Sequence, residues 1–359
     1  FFMILVDTTI VSVANPAIKA ALDPDTNNVD NAVWVTSAYL LAYAVPLLIT
    51  GRLGDRFGPR RIYLIGLVVF TISSLACGLS GTIEALIVAR VFQGFGASMM
   101  TPQTMAVITR IFAPMERGAA MAIWGATAGA ATLIGPILGG LIIDSLGWEW
   151  IFFINVPIGV AAFVLAMRNV PALQTHPHRF DLVGVALSAI GLFLLVFGIQ
   201  EGESYNWGQI WGPISVWGLI IAGAIVMVLF VVWQRVQKGE PLLPLRVFRD
   251  RNFAVGNLAI TTVGFSVTGM ALPLIFYAQT VRGMTPTQSA LLMVPMAVLS
   301  GVLAPFVGKL IDRGDPRWIA PLGLFLMAVG LGAYSLVMTP DAPIWMLLIP
   351  SVILGFANA

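Results

Sequence analysis

The stretch GRLGDRFGPRR at residues 51–61 places four arginines and one aspartate between two long apolar runs. A polar segment this short predicts two spans that lie side by side and are joined by a hairpin, in which Gly51, Gly54 and Gly58 permit tight turns. Asp55 can accept charge-assisted hydrogen bonds from an arginine or from a helix N-terminus. The stretch therefore indicates a membrane protein with a charge cluster between its second and third spans.

Composition excludes a soluble domain. Apolar residues make up 58% of the 359 residues and charged residues only 10%, with a mean hydropathy of +0.91, whereas soluble domains carry about 25% charged residues. The charged residues cluster between apolar runs of about 20 residues, the length that crosses the hydrocarbon core of a bilayer. The net charge of +2 gives no indication of nucleic acid as a partner. Cys77 is the one cysteine, which excludes an internal disulfide, and we interpret it as a packing residue.

The chain contains twelve apolar segments that we predict to be membrane-spanning helices. They fall near 1–20, 33–50, 62–80, 83–108, 119–143, 149–167, 181–200, 213–233, 253–279, 287–307, 318–337 and 344–359. The first segment begins, and the last ends, inside an apolar run without a polar flank, and we therefore expect a longer natural chain.

The distribution of basic residues predicts the orientation. Sixteen of the nineteen lysines and arginines fall in loops on one side, Lys19 and Arg282 fall on the other side, and Arg90 lies inside the fourth span. Because positively charged loops stay in the cytoplasm during insertion, we predict a multi-pass protein of the plasma (inner) membrane whose first helix starts in the cytoplasm.

A second, weaker copy of the opening stretch indicates a duplicated architecture. Residues 308–317, GKLIDRGDPR, follow the tenth span much as residues 51–61 follow the second. Eight spans separate the copies, where a simple duplication of six helices predicts six, so two helices are inserted between two lobes. Prolines typical of linkers flank the inserted pair, namely Pro171, Pro177, Pro241 and Pro244. The predicted organisation is an N-terminal six-helix lobe at 1–167, a linker with inserted helices 7 and 8 at 168–252, and an incomplete C-terminal lobe with helices 9 to 12 at 253–359.

These motifs carry a resemblance to a known family. Residues 51–61 resemble the signature G-x-L-a-D-r-x-G-r-k of the major facilitator superfamily. Further matches resemble its fourteen-helix drug/proton antiporter branch. They are residues 5–16 against the first-helix pattern L-D-x-T-I-V-N-V-A-x-P, 89–97 against R-x-x-Q-G-x-G-a, 135–140 against the antiporter motif G-P-x-x-G-G, and 155–159 at the sixth helix. The chain departs from the family pattern at Ala131, where glycine is usual, and at Glu149, where arginine is usual.

The resemblance implies an all-α polytopic membrane protein with the major facilitator fold. It also implies proton-coupled efflux of amphipathic drugs or lipids by alternating access, in which two six-helix lobes rock around a midplane cavity. The partners would be protons, amphipathic small molecules or lipids, and the phospholipid bilayer, without a cofactor. One alternative is a lipid exporter, flippase-like, with incidental drug efflux, and another is a lipid-binding membrane enzyme or scaffold.

Asp7 and Arg90 are the candidates for proton coupling. A charged residue at the bilayer centre costs roughly 2.5–3.5 kcal/mol on insertion scales, so Asp7 requires a reason to be there. A carboxyl group balanced between burial and a nearby cation can bind and release a proton as access alternates. The alternatives are a structural Asp7–Arg90 pair, or a position for Asp7 near a helix end.

Two further groups are candidates for conformational roles. A latch between helices two and three and the neighbouring lobe would use Gly51, Asp55, Arg56, Gly58, Arg61, Asp312 and Arg313. The alternative is that the arginines set topology and bind anionic lipid headgroups, a role that suits Arg60 and Arg61. The antiporter helix would use Gly135, Pro136, Gly139 and Gly140 for close helix approach and bending, although small residues at this spacing occur in many membrane helices.

Substrate contacts are predicted from polar, aromatic and methionine side chains that suit apolar ligands. The candidates are Trp34, Tyr39, Gln93, Met99, Trp124, Phe265, Met270 and Gln279, each of which could instead face lipid or a neighbouring helix. His176 and His178 lack a third ligand, so we predict no metal site. The sequence contains no G-x-x-x-x-G-K-[ST] loop, which argues against ATP as a partner, and no convincing hydrolase nucleophile.

Overall fold

The computed structural model describes residues 1–24, 30–113, 116–173, 175, 181–237, 241–243, 245–313 and 316–359. In chain order the helices are α1 (Phe2–Leu22), α2 (Asp30–Ala44), α3 (Leu47–Phe57), α4 (Pro59–Gly78), α5 (Ile83–Ile111), α6 (Arg117–Leu146), α7 (Trp150–Phe153), α8 (Asn155–Asn169), α9 (Leu182–Gln200), α10 (Val216–Val236), α11 (Arg251–Phe276), α12 (Pro286–Leu291), α13 (Val294–Arg313), α14 (Pro316–Val337) and α15 (Ile344–Asn358).

Three short elements complete this description. A 3-10 helix at Leu245–Arg249 precedes α11, and a π-helical turn at Tyr277–Val281 follows it. Strands β1 (Gln209–Trp211) and β2 (Ile214–Ser215) pair antiparallel in the connection from α9 to α10.

The all-helical class is confirmed, and each of the twelve predicted segments overlaps a helix. Within the described residues, nine helical segments are long and apolar enough to cross a membrane, and the bent α2–α3 pair makes a tenth. The stretch Ile134–Leu146 of α6 and the whole of α15 are shorter apolar helices.

The predicted single span at 33–50 is wrong in one respect. It consists of two helices, α2 and α3, whose axes differ by 43° across the break at Val45 and Pro46. Proline has no backbone N–H to donate and its ring clashes with the carbonyl group four residues earlier, so the break falls where Pro46 requires it.

The predicted hairpin at residues 51–61 is also corrected. Helix α3 continues through the signature to Phe57, so Gly51 and Gly54 are helical. Only Gly58 adopts a left-handed backbone, with φ at 95°, and Pro59 then opens α4 at the position where a missing N–H costs nothing. Gly54 permits close packing instead, because an added Cβ would lie 2.8 Å from Nε2 of Gln103 on α5.

The helices group into two compact units. Unit one comprises Phe1–Asp25, Gly118–Asn155 and Asp250–Ala359, and unit two comprises Thr26–Arg117 and Val156–Arg249. These units follow spatial contacts, whereas the predicted lobes follow the chain, and the lobe boundaries stay a prediction.

Each unit has its own core. In unit two, α5 packs against α2 and α4, and Gly66 and Gly96 bring α4 and α5 together so closely that a Cβ on Gly66 would lie 2.7 Å from the Gly96 carbonyl oxygen. In unit one, α11 and α13–α15 bury a cluster that includes Leu274, Met327 and Leu347.

Candidate functional site

Asp7 lies on α1 and is completely buried in unit one. The Nδ2 atom of Asn155, the first residue of α8, donates a hydrogen bond to Oδ1 of Asp7 at 3.0 Å, and Asn155 is itself 2% exposed. A carboxamide can donate through its nitrogen to a carboxylate and can accept through its oxygen from a protonated carboxyl group. Asn155 is therefore able to hold Asp7 in either protonation state.

Helix α6 packs against the turn of α1 that follows Asp7. A Cβ added to Gly135 would clash with the Thr9 side chain and would lie 3.3 Å from the Val6 carbonyl oxygen, and one added to Gly139 would lie 2.6 Å from Cγ1 of Ile10. Pro136 is buried within α6 between these glycines. The antiporter motif thus forms a close contact with the helix that carries Asp7.

The same helix contacts α12 near its C-terminal end. A Cβ on Gly140 would lie 2.6 Å from the Cα of Thr287, and four residues later Asp144 accepts hydrogen bonds from the N–H of Thr287 at 3.1 Å and from its hydroxyl group. Sequence reasoning did not single out Asp144 or Thr287. The sequence feature that could have identified this contact is the acidic side chain of Asp144, about one turn after Gly139 and Gly140.

Arg90 lies on α5 in unit two and is completely buried. Its Nε donates to the Val35 carbonyl oxygen of α2 at 3.0 Å, its Nη1 donates to Oε1 of Gln93 at 2.8 Å, and its guanidinium carbon lies 4.0 Å from the centre of the Tyr39 ring. Cys77 also donates to Oε1 of Gln93, at 3.4 Å. Two predicted substrate contacts, Tyr39 and Gln93, are therefore neighbours of Arg90.

Asp7 and Arg90 belong to different units. Their proposed direct bond stays a prediction.

Asp55 of the predicted latch has a partner within unit two that the sequence reasoning missed, and the contact of the latch with the neighbouring lobe stays a prediction. Asp55 accepts a hydrogen bond from Nη2 of Arg110, at the end of α5, across 2.6 Å, and both side chains are about 30% exposed. Arg56 instead lies over the ring of Phe57, 5.4 Å from its centre, and Arg61 is exposed on α4. Arg60 donates to the carbonyl oxygen of Met167. The side chains of Asp312 and Arg313 lie outside the described part of the chain.

A second polar cluster anchors the helices α9 and α10 of the predicted insertion. Oδ1 of Asp181 accepts from the N–H of Gly184 and from Nε1 of Trp233, both at 2.8 Å, and its Oδ2 accepts from Nε2 of Gln234 at 2.6 Å. Gln234 in turn accepts from the N–H of Leu243 at 3.1 Å.

The segment after α10 also contacts the signature motif. The carbonyl oxygen of Pro241 accepts from Nη2 of Arg52 at 2.6 Å. Pro177, Pro244, His176 and His178 lie outside the described residues.

Three predicted substrate contacts have polar or ring partners. Trp34 donates to Oε1 of Glu201 at 2.6 Å, and Gln279 donates to the Val13 carbonyl oxygen at 3.1 Å and to Ser289 at 2.9 Å. The Trp124 ring stacks on Phe1 with centres 4.2 Å apart. These side chains occupy both units, and their substrate roles stay predictions.

The other three lie on apolar surfaces or packing contacts. Met99 is half-buried next to Gly66, and Phe265 is 81% exposed on α11. Met270 lines a cavity of about 20 Å³ among α11 and α13–α15, together with Met296 and Tyr334. A cavity of this size has room for about one water molecule.

Comparison with known proteins gives a family and several relatives. The family model of the Major Facilitator Superfamily matches residues 1–359. An uncharacterized MFS-type transporter of Mycobacterium tuberculosis H37Rv is 53% identical over the whole chain, which covers 61% of that protein. The tetracenomycin C resistance and export protein of Streptomyces glaucescens is 36% identical over 93% of the chain and 61% of its own length. The multidrug export protein EmrB of Escherichia coli K12 is 31% identical over the whole chain and 69% of its own length.

Solved structures agree on the fold. The peptide transporter POT in complex with sulfate matches 99% of this chain and 78% of its own, with a TM-score of 0.67 at 16% identity. The inward-open xylose transporter XylE of E. coli matches the whole chain and 78% of its own, with a TM-score of 0.60 at 15% identity. The chain spans about three-fifths of the length of the first curated relatives. The match across all 359 residues shows that this multi-pass membrane protein belongs to the Major Facilitator Superfamily.

Proposed function

We propose that the protein is a proton-coupled exporter of amphipathic drugs or lipids that works by alternating access in the plasma membrane. The observation that carries the proposal is the buried Asp7 carboxyl group, which Asn155 holds on α1 beside the glycine motif of α6. An ionisable side chain inside a membrane bundle is costly and is typical of proton relays.

Proton binding at Asp7 would be transmitted through α1 to α6. Gly135 and Gly139 leave no space between the two helices, so a small shift of α1 on neutralisation of Asp7 has to move α6. The other end of α6 holds α12 through Asp144 and Thr287. A proton at Asp7 would thus alter the packing between α6 and α12.

Relatives support export rather than import. The names of two of them describe a resistance and export protein and a multidrug export protein. We extend this direction to the present chain, together with membership of the fourteen-helix drug/proton antiporter branch and a likeness to the mycobacterial efflux protein EfpA. The two-lobe organisation with α9 and α10 as inserted helices belongs to the same proposal, as does a first helix that starts in the cytoplasm.

The Asp55–Arg110 pair lies within unit two, and we propose that it positions the end of α3 for the cytoplasmic latch. It joins the ends of α3 and α5 at the side where the positively charged loops cluster. An ion pair that is about 30% exposed is weak enough to break and re-form during rocking.

The test is transport by the full-length protein in proteoliposomes, with a fluorescent amphipathic cation as cargo. We expect the wild type to move cargo against a concentration gradient when a pH gradient is imposed. The variant Asp7→Asn should lose this uphill movement but retain exchange of cargo between the two sides, because exchange needs no proton. Uphill movement at the wild-type rate in Asp7→Asn would show that Asp7 is not the coupling residue.

The same vesicles can distinguish a lipid exporter from a drug exporter. A fluorescent phospholipid replaces the cation, and each cargo is offered as competitor to the other. Movement of the cation that phospholipid does not inhibit would assign the protein to drug export. Movement of neither cargo would exclude a transporter of this substrate class.

A further inference from the structure

Unit two contains a cavity outside the sites described above, between α2 and α9. It has a volume of about 260 Å³. We call it the α2–α9 groove; its walls are Ser37, Leu40, Leu41, Ala44 and Val45 on one side and Leu192, Val196 and Gln200 on the other. An apolar cavity of about 150 Å³ is large enough to bind benzene, so the groove can hold more than a single ring.

One end of the groove is polar. Nε2 of Gln200 is buried and has no hydrogen-bond partner among the described residues. Trp34, one turn before Ser37, donates to Glu201, the neighbour of Gln200, at 2.6 Å, so Ser37 and Gln200 lie at the same end. Buried donors in proteins are almost always paired, which indicates that an acceptor from outside the protein completes this end.

The connection that follows α9 shows where this end lies in the membrane. It carries three exposed aromatic side chains, Tyr205, Trp207 and Trp211, and a fourth, Trp217, lies in the first turn of α10. Exposed tryptophan and tyrosine are typical of the headgroup level of a bilayer. Gln200 is the last residue of α9, and this connection begins directly after it, so the polar end of the groove lies at or just below the headgroups.

The groove extends through most of one leaflet. Its α2 wall runs from Ser37 to Ala44, a rise of about 10 Å at 1.5 Å per residue. Half of a hydrocarbon core of about 30 Å is about 15 Å deep, so the wall covers roughly two-thirds of that depth. Below Ser37 the wall of α2 is entirely apolar.

We propose that the α2–α9 groove binds one acyl chain of a glycerophospholipid, whose ester carbonyl oxygen accepts a hydrogen bond from Nε2 of Gln200. The chain lies along Leu40, Leu41 and Ala44. This lipid is a resident ligand in the leaflet at the α9–α10 connection, and its binding requires neither a proton gradient nor transport. The assignment therefore goes beyond the proposed export function and is tested separately from it.

A second groove in the same unit provides the control. It lies between α4 and α8, measures about 220 Å³, and includes Leu67, Thr71, Gly159 and Val160 in its walls. Thr71 is the polar side chain there, and its hydroxyl already donates to the Leu67 carbonyl oxygen at 2.7 Å. This groove offers lipid a similar volume without a buried amide.

The experiment uses the full-length protein reconstituted in nanodiscs with phosphatidylglycerol that carries a photoactivatable diazirine in one acyl chain. The protein is exchanged into lipid-free detergent, irradiated, digested and mapped by mass spectrometry. We expect labels to persist on residues 37–45 and 192–200 and to disappear from the α4–α8 groove. Gln200→Leu keeps the size of the side chain and should reduce labelling about fivefold, the value of one net hydrogen bond. Ala44→Phe should abolish labelling by filling the groove, whereas Val160→Phe should leave it unchanged.

Several outcomes would overturn the assignment. Equal retention of label in both grooves would show that volume alone holds lipid. Unchanged labelling in Gln200→Leu would show that the Gln200 amide does not contribute to lipid binding. Protection of residues 37–45 by excess rhodamine 6G, but not by excess unlabelled phosphatidylglycerol, would show that the groove takes aromatic cations instead. Gel filtration and a melting curve of each variant check its folding, and none of these measurements depends on transport activity.

Discussion

The amide group of Asn155 donates a hydrogen bond to the carboxyl group of Asp7 across 3.0 Å, and both side chains are almost completely buried. The two residues are separated by 148 positions in the chain and belong to α1 and the start of α8. Asn155 therefore positions the proposed proton site.

Replacement of Asn155 by leucine should impair proton-driven transport. A hydrogen bond to a charged group contributes about 1.5–3 kcal/mol, so we expect uphill efflux to fall roughly 10- to 100-fold and its pH profile to shift. Asn155→Gln should restore part of the activity. The control is Asn169→Ala at the exposed end of the same helix, where the side chain contacts only the Leu165 carbonyl oxygen among the bonds described. If the pH profile of efflux were unaltered in Asn155→Leu, Asn155 would not be needed to position Asp7.

Gly139→Ala should destabilise the contact between α6 and α1. The new Cβ would lie 2.6 Å from Cγ1 of Ile10, and overpacking of this kind costs about 1–3 kcal/mol. We expect a lower melting temperature and slower efflux. Efflux should recover in the double variant Gly139→Ala, Ile10→Ala, whereas its melting temperature should stay low because Ile10 is buried.

The matched control for this prediction is Gly332→Ala on α14, where no described atom beyond the adjacent backbone of α14 lies within 4 Å of an added Cβ. That variant should melt at or slightly above the wild-type temperature, because alanine favours a helix over glycine by about 1 kcal/mol. Equal changes in melting temperature at Gly139 and Gly332 would show that helix propensity, and not packing against α1, determines the effect of alanine.

Asp55→Asn and Arg110→Gln should each change stability little and transport more. A surface ion pair contributes about 0–1 kcal/mol, so the melting temperature should barely move. If the pair positions the latch, efflux should fall in both single variants and recover when the charges are exchanged, in Asp55→Arg with Arg110→Asp. Arg61→Gln, at an exposed position on α4, should transport normally. Loss of activity in Arg61→Gln of the same size would indicate that total positive charge matters, and not the pair.

Asp181→Asn should loosen the packing of α9 against α10. The carboxylate accepts from Gly184, Trp233 and Gln234, whereas an asparagine would turn its own NH₂ group towards one of these donors. A buried donor left without a partner costs about 1–3 kcal/mol. Thermal unfolding followed by tryptophan fluorescence should report this loss.

The comparison residue for Asp181 is Asp250, an exposed carboxylate that caps α11 by accepting from the N–H groups of Asn252 and Phe253. Asparagine is as good a cap as aspartate, so Asp250→Asn should leave the melting temperature nearly unchanged. A similar decrease in both variants would contradict the special role of the Asp181 cluster.

The sequence predicted the helical class and the position of every helix, because apolar runs of the length of a bilayer have no other stable form in lipid. It did not predict the break at Pro46 or the helical state of Gly51 and Gly54. The prolines and glycines of residues 46–58 are compatible with a turn and with a packed helix alike, and neighbouring side chains such as Gln103 decide between them.

Some residues of the candidate site could be identified from the sequence, and others only from the structure. Asp7, Arg90 and the glycines of α6 were identified from residue type, since a charge or a G-P-x-x-G-G pattern inside an apolar run is unusual in itself. Asn155, Arg110 and Asp181 gain their importance from partners that are 52 to 148 residues away in the chain. Nothing in the local pattern of a polar residue at a helix end specifies such a partner.

The sequence by itself determined that the chain spans a membrane, because transfer of apolar segments into lipid depends on composition and length alone. Only the tertiary structure decided which polar groups meet. The bond of Asn155 to Asp7, the pair of Arg110 with Asp55, and the Gln200 amide nitrogen that has no partner among the described residues all depend on helix packing. Packing is set by the simultaneous fit of many side chains, and a linear pattern does not contain that information.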